Sequence, residues 1–528
     1  MPFISKFYHD LEARVELADA EVETGYSGLV NLPSKGKKVF FGIGSVIADY
    51  LMMSLNLILF ILGVVAVLTS LPNPLFSFPP GIFVALVPLF YIQRGRSYWG
   101  RFRIDLVFIA VVSLVIIAPL DFNSLVVSGP NTLMLAASFG IASLFYAACL
   151  ALAGDGPVLA GASWVTAGWL LSIFSFPLPI ETALVPWPIF LQSANVLGAS
   201  FISFLIVSTN SALAGLLGGR DRKAIIFFSV IALGLVVNLI YGSVSLARQE
   251  AAQPKVNIAI IQPNVTLKDY VLIERSRLFG DYFDRRNVYL SKEAARKGAR
   301  LVIWPELAGN FTLQNDGFLN YLRREVASQG AETLIGTNYV DYAQGRRLYN
   351  SAFILRKDGT TTEPYRKTSL FPFIETASYA QGAALVPLPT ESGLNQVGVH
   401  ICLESIYPSL PRKLVRAGAG ILALISSDAL FGNSIIPYVH KNLMALRAIE
   451  NGRYAVHSGN AGPSAVFDHK GRLLVEIPYN KTAYANVNVA PVEGTTIYSR
   501  IGDWFSILCV LIMDVALVLC FERNSGAK

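Results

Sequence analysis

Three stretches of this 528-residue chain finish in groups that, brought together, could carry out acyl transfer. Leu301 to Glu306 (LVIWPE) closes on a carboxylate, Tyr365 to Glu375 (YRKTSLFPFIE) holds Lys367 and Glu375, and Val399 to Glu404 (VHICLE) delivers Cys402 and Glu404. A glutamate in an apolar pocket can have its pKa raised toward neutrality and serve as general base and then acid. A thiol beside such a base becomes the attacking thiolate and forms a thioester, which divides one hard step into two easier ones. A lysine ammonium, helped by the backbone N–H of the residue after the nucleophile, can hold the developing oxyanion.

Each group also has a plainer explanation. A lone cysteine on an apolar strand is usually a small buried hydrophobe. Of the four cysteines, however, Cys149, Cys509 and Cys520 lie in apolar spans, so Cys402 is alone in the long polar segment and has no disulfide partner there. Glu306 follows an apolar strand without a break, which disfavours a solvated position. Lys367 shares its neighbourhood with Arg356, Lys357 and Arg366, and composition does not single it out. Glu375 and Glu404 fit structural ion pairs equally well. His400, two residues before Cys402, points in parallel with it from the same strand face and is not expected to be its base. His440 and His457 are expected to be satisfied polar residues near the rim of the site. With His400 and His469 they form no zinc spacing, so neither metal nor cofactor is expected.

The elements that must position these groups are legible as alternating patterns. Segments 255–262, 300–306, 332–340, 349–359, 395–402 and 420–428 read as strands; those near 272–298, 314–328, 407–417 and 436–450 read as helices. Alternation of this kind predicts an α/β layered domain over 254–496 with a largely buried sheet.

The remainder has a different solvent. Hydrophobic residues make up 53% of the chain and charged residues 15%, and the mean hydropathy is +0.49, which predicts an integral membrane protein. Apolar stretches lie at about 41–70, 79–93, 104–121, 131–153, 157–176, 187–217 and 224–247, with an eighth at 501–521. Most approach the ~20 residues that cross ~30 Å of hydrocarbon. Arg94, Arg96, Arg101 and Arg103 fall in one loop and Arg220, Arg222 and Lys223 in another, whereas loops 71–78, 121–130 and 177–186 hold no lysine or arginine. By the positive-inside rule both termini are cytoplasmic and 254–496 is extracytoplasmic. The expected organisation is a cytoplasmic leader (1–40), a seven-span membrane domain (41–250), the catalytic domain (254–496), a C-terminal span (501–521) and a tail (522–528). Residues 1–40 lack the apolar core of a signal peptide. The net charge of +7 sits beside the spans, so no nucleic-acid partner is expected. Asp121, Asp155 and Glu181 fall at predicted loop positions, which gives no support to a transporter.

Glu306, Lys367 and Cys402, in this order and with these flanks, resemble the nitrilase or carbon–nitrogen hydrolase superfamily. With membrane spans before and behind, the chain is similar to its apolipoprotein N-acyltransferase branch. WPE (304–306), NSA (350–352), Pro372-Phe373, ISSDALFGNS (425–434) and LRAIENGR (446–453) extend the likeness. The resemblance implies an α-β-β-α sandwich, with Glu306 as general base, Lys367 as oxyanion-stabilising lysine and Cys402 as acylated nucleophile. Glu375 and Glu404 would orient Lys367 and tune the charge of the pocket. It implies ping-pong transfer from a phospholipid to the α-amine of a lipoprotein's diacylglyceryl-cysteine, by a monomer in the bacterial inner membrane with its catalytic domain in the periplasm. Leu403 stands where the pattern has an aromatic, and PFIETAS, Ala429-Leu430 and Asp269 depart from it as well. These departures keep open a related acyltransferase or amidase with another acceptor.

Overall fold

The computed structural model describes residues 34–525, apart from 74–76, 118–128, 174–176, 249–252, 267, 270, 271, 274, 275, 310–315, 344 and 372–374. The leader up to residue 33, Asp121 and its loop, Pro372-Phe373 and the tail from 526 lie outside the described residues. Two compact units divide at Leu62 and Gly63. In the first, residues from Ser34 onward are helical, as the opening part of α1 (Ser34–Ser70).

In the second unit the apolar stretches are helices: α2 (Val87–Gln93), α3 (Tyr98–Ile117), α4 (Gly129–Ala153), α5 (Pro157–Leu171), α6 (Ala194–Leu197), α7 (Ala199–Gly218) and α8 (Arg222–Ala247). Among the described residues, four helical segments are long and apolar enough to cross a bilayer: Met52–Ser70, Ala136–Ala153, Ala199–Gly218 and Arg222–Ala247. The segments Pro79–Gln93, Pro157–Leu171 and Trp504–Leu519 are apolar but shorter, and α3 opens with Arg101, Arg103 and Asp105. Eight crossings are therefore not established. The chain is nonetheless a membrane protein: α8 leaves Val230, Leu233, Val237 and Ile240 exposed, an apolar face that water would penalise and lipid would not.

Helix α8 starts where the Asp221 side chain accepts from Ala224 N at 2.7 Å. At its other end Lys470 Nζ donates to Arg248 O (2.6 Å) and Arg472 Nη2 to Leu246 O (3.0 Å), so basic side chains of the following domain satisfy carbonyls that a helix C-terminus leaves open. Asp155 and Glu181 do lie outside the long helices. Asp155 pairs with Arg101 at 3.0 Å, while Glu181 is buried in a 3-10 turn and accepts from Ser203.

Among the described residues, the α/β domain contains two six-stranded sheets. The first, in the order β12-β1-β2-β3-β4-β5, comprises β1 (Val256–Gln262), β2 (Leu301–Ile303), β3 (Glu332–Asp341), β4 (Arg347–Leu355), β5 (Tyr365–Arg366) and β12 (Ala483–Val489). The second, β11-β10-β9-β8-β7-β6, comprises β6 (Leu388–Pro389), β7 (Gln396–Ile401), β8 (Ile421–Ser426), β9 (Tyr454–Gly459), β10 (Ser464–Phe467) and β11 (Leu473–Ile477). Alternation along the strands explains the layers. Ile258, Ile260, Leu301 and Ile303 pack between the sheets against Val399, Ile401, Ala423 and Ile425. Ala259, Ile261, Val302 and Trp304 turn the other way, onto Val288 and Leu322 of α9 (Arg277–Arg296) and α10 (Asp316–Glu325). Helices α11 (Ser409–Arg416) and α12 (Ile435–Asn451) pack on the second sheet. This is the α-β-β-α sandwich. The chain closes with α13 (Ile497–Ile501) and α14 (Trp504–Ser525), the latter packed on α5.

Candidate active site

The strand order places β2 in one sheet and β7 and β8 in the other, with β1, β2 and β3 mutually parallel and β7, β8 and β9 likewise. Chemistry collects beyond the C-terminal ends of such strands. Glu306 follows β2, Lys367 follows β5, Cys402 follows β7 and Asp428 follows β8. Gly336 on β3 lets Glu306 approach: a Cβ there would meet Pro305 O at 2.5 Å and Glu306 Cα at 2.9 Å.

Lys367 is 1% exposed and lies between two carboxylates, with Nζ donating to Glu306 Oε1 at 3.1 Å and to Glu375 Oε1 at 2.8 Å. Asn350 Nδ2 donates to the same two oxygens, at 2.7 and 3.1 Å. The second oxygens are held by main chain, Ser427 N to Glu306 Oε2 (3.0 Å) and Phe371 N to Glu375 Oε2 (2.8 Å). Burial alone would lower the Lys367 ammonium. Glu306, Cys402 and Glu375 outweigh it and hold the ammonium above its usual range. Burial pushes the Cys402 thiol up, Glu306 adds to the rise and Lys367 opposes it. The resting thiol is thus protonated.

Cys402 sits at φ +52°, in the left-handed region that side-chain-bearing residues seldom adopt. It opens a 3-10 turn, Cys402–Ile406. Glu404 secures that turn. Its carboxylate accepts from Ile401 N (2.8 Å), Tyr365 Oη (2.8 Å), Thr368 N (2.7 Å), Thr368 Oγ1 (2.7 Å) and Ser369 N (3.1 Å). Glu375 therefore touches Lys367 directly, whereas Glu404 ties the segment after Lys367 to the turn bearing Cys402. Burial raises the Glu404 carboxyl, against the bonds from Ile401, Thr368 and Tyr365.

Leu403 is buried and, with Cys402, lines an almost wholly apolar cavity of about 160 Å³. Phe431, Ile436 and Val439 flank it on the α/β side; Leu89, Phe108, Ile109 and Val112 continue it among the membrane helices. A second cavity of about 550 Å³ adjoins it across Trp164, Pro179, Ile406 and Leu443, and adds Glu181, Arg447, Glu450, Tyr498 and Asp503.

The expectation for His440 and His457 needs correction. Both are buried beneath the site, not at a rim, because Asp428 draws them in. Asp428 Oδ1 lies 2.9 Å from His440 Nδ1, and Asp428 Oδ2 accepts from Ser426 Oγ at 2.9 Å and lies 3.6 Å from His457 Nε2. The three groups are close enough to hold a cation, but their facing atoms are already committed to hydrogen bonds with one another and with Ser426. His400 is buried with its pKa pushed down to about 3 by desolvation, and it is a neutral core residue. Asn350, Ser427, Asp428, Tyr365 and Thr368 were missed as site residues. Asn350, Ser427 and Asp428 stand inside the NSA and ISSDALFGNS stretches, where the sequence marked a likeness but no role.

Residues 285–496 match the carbon–nitrogen hydrolase family. The chain contains a carbon–nitrogen hydrolase domain. The likeness to curated relatives extends beyond this domain. The chain is 26% identical over 533 residues to apolipoprotein N-acyltransferase 2 of Treponema denticola, covering 89% of this chain and 98% of that one. It is 29% identical over 370 residues to the apolipoprotein N-acyltransferase of Geobacter metallireducens, covering 63% and 68%. Among solved structures, the carbon–nitrogen hydrolase of Helicobacter pylori G27 aligns at 17% identity over 45% of this chain and 89% of that one, with a TM-score of 0.37. In this chain the hydrolase domain is joined to apolar helices.

Proposed function

We propose that the protein is a phospholipid-dependent N-acyltransferase that passes an acyl chain through a thioester on Cys402 to the N-terminal diacylglyceryl-cysteine amine of lipoproteins. The observation that carries this reading is the apolar cavity running from Cys402 and Leu403 into the membrane helices. A hydrolase of small soluble amides has no use for such a wall, whereas an acyl chain leaving a bilayer gains from burial all along it.

Glu306 takes the proton from Cys402 Sγ, and the thiolate attacks the ester carbonyl carbon. The carbonyl electron pair moves onto oxygen, where the Lys367 ammonium and the Leu403 N–H hold it. As the tetrahedral adduct collapses, the bond to the glycerol oxygen breaks and Glu306 returns the proton to that oxygen, releasing a lysophospholipid. The acceptor amine, in its neutral form, then attacks the thioester carbonyl, and Glu306 accepts a proton from nitrogen. The C–S bond breaks to give the amide, and Glu306 reprotonates the departing thiolate. Glu375 and Asn350 keep Lys367 and Glu306 in register throughout. The second cavity, where Glu181, Arg447, Glu450 and Asp503 stand among apolar side chains, is suited to the hydrophilic parts of the two lipids.

The topology that suits this chemistry has both termini in the cytoplasm and residues 254–496 on the periplasmic face of the inner membrane, in a monomer. Incubating the purified protein with phospholipid and then with a diacylglyceryl peptide tests the whole sequence. An acyl adduct on Cys402 that is discharged by the peptide supports it, and full transfer activity in Cys402→Ala refutes it. An adduct that forms but is discharged only by other amines favours the alternative acceptor left open by Leu403.

A further inference from the structure

Helix α12 reaches the nucleophile turn from below at two points. His440 Nε2 lies 3.0 Å from Cys402 O, and Arg447 Nε donates to Ser405 O at 3.0 Å. The His440 contact fixes proton positions. A carbonyl oxygen only accepts, so Nε2 carries a hydrogen, and a carboxylate only accepts, so Nδ1 facing Asp428 Oδ1 at 2.9 Å carries one as well. His440 is therefore an imidazolium, buried between the Asp428 carboxylate and the Cys402 carbonyl. Burial would lower its pKa, but Asp428 outweighs burial and raises it. His457 has gone the other way: burial lowers its pKa. With Ser426 Oγ donating to Asp428 Oδ2, His457 Nε2 donates to Ser426 Oγ at 2.8 Å as a neutral ring.

The carbonyl that His440 grips belongs to the same planar peptide unit as the Leu403 N–H. Gripping one end of the plane fixes where the other end points. It also polarises the unit, because a hydrogen bond accepted by C=O strengthens the N–H as a donor. Cys402 needs such a grip, since its left-handed φ of +52° is a conformation that only the surroundings can impose. Ser405 Oγ, 3.2 Å from the same oxygen, is a second and neutral contact made from within the turn itself.

We propose that the Asp428–His440 pair positions the oxyanion donor: acting through the Cys402–Leu403 peptide, it aims and strengthens the Leu403 N–H at the acyl carbonyl of the substrate. His440 is thus a positioning residue for acyl transfer, and Asp428 keeps it charged. The inference rests on the reading of Cys402 as the acylated nucleophile.

Two reactions of the same thiol separate this role from mere support of the fold. Thioester formation from a p-nitrophenyl fatty-acid ester passes through an oxyanion, whereas alkylation of Cys402 by iodoacetamide is a displacement at carbon that develops none. In the detergent-purified full chain, His440→Leu is expected to slow acylation roughly 10²- to 10³-fold, the usual cost of losing an oxyanion donor. Its alkylation rate is expected to stay within a few-fold of wild type, and KM for the ester to change little beside kcat. His440→Gln, which restores a neutral donor, recovers part of the loss, and Asp428→Asn falls between Gln and wild type. If acylation and alkylation fall together in both His440→Leu and His440→Gln, the pair only supports the fold and the proposal is overturned. Wild-type acylation rates in His440→Leu overturn it as well. Absence of Cys402 acylation in the wild type is a different failure, because it removes the reading of function on which the proposal stands.

Discussion

Replacing Lys367 by methionine gives a test whose pH dependence changes sign. In the wild type one ammonium, 1% exposed, separates Glu306 Oε1 at 3.1 Å from Glu375 Oε1 at 2.8 Å. Methionine fills similar space but leaves the Oε1 atoms of buried Glu306 and partly buried Glu375 sharing Asn350 Nδ2, while their second oxygens keep Ser427 N and Phe371 N. Breaking a buried ion pair from one side costs about 3–5 kcal/mol, and for a domain of this size each kcal/mol moves the thermal midpoint by roughly 2–4 °C. A fall of roughly 6–20 °C at neutral pH follows. The sign check is direct. The raised ammonium contributes its full stability below the ordinary lysine pKa of about 10.4, so in the wild type this pair is insensitive to mild acid. In Lys367→Met one carboxyl is forced to bind a proton, so the variant regains stability as the pH falls from 8 toward 5. The assay is thermal unfolding of detergent-purified protein across that range. The double variant Lys367→Met/Glu375→Gln is expected to recover much of the stability and none of the transfer activity. A Lys367→Met midpoint equal to wild type at pH 8, or one that falls further on acidification, would refute the account of the carboxylate pair.

Gly336→Ala inserts a methyl group against Pro305 O and Glu306 Cα and is expected to displace the base; initial-rate measurements should show kcat falling at least tenfold with KM little changed. Val112→Trp, far along the apolar cavity on α3, is expected to cost about 1–3 kcal/mol by overpacking. A donor series should show long acyl chains rejected and short ones retained. Glu404→Gln places at least one amide hydrogen against the donors now bound to the carboxylate, and leaving a single buried donor unmade costs about 1–3 kcal/mol. Thermal unfolding should report that loss together with slower alkylation of Cys402, because the turn itself loosens.

The sequence was most legible where local pattern and tertiary burial agree. Segment 255–262 reads as a strand and forms β1 over 256–262 because both its faces are covered, one by the opposite sheet and one by α9. The sequence leads to no expected strand after β8, yet β9, β10 and β11 of the second sheet and β12 of the first form there. Strand β11 has exposed Leu473 and Leu474 and so shows no clean period of two, whereas β12 does alternate, with Ala483, Ala485, Val487 and Val489 on the core face and Tyr484, Asn486 and Asn488 between them. Glu306 and Cys402 were picked out because reactive types follow apolar strands, whereas Lys367 follows the two-residue β5 and was picked out by the resemblance alone. Asn350 and His440 were not, because an amide in a strand and an imidazole in a helix acquire their meaning only from what lies across the fold: Glu306 for one, Cys402 O for the other. Glu404 shows the converse. The resemblance implied a tuning of the pocket's charge, and the geometry makes it the knot between two segments.

Intact-protein mass spectrometry after incubation with a single defined phospholipid reaches the central claim most directly. The account predicts a mass increase equal to one acyl group, localised to Cys402, labile to neutral hydroxylamine as a thioester is, abolished by Cys402→Ala and discharged by a diacylglyceryl peptide. Transfer of the acyl chain to the peptide without any adduct on Cys402, or an adduct that persists in Cys402→Ala, would contradict it.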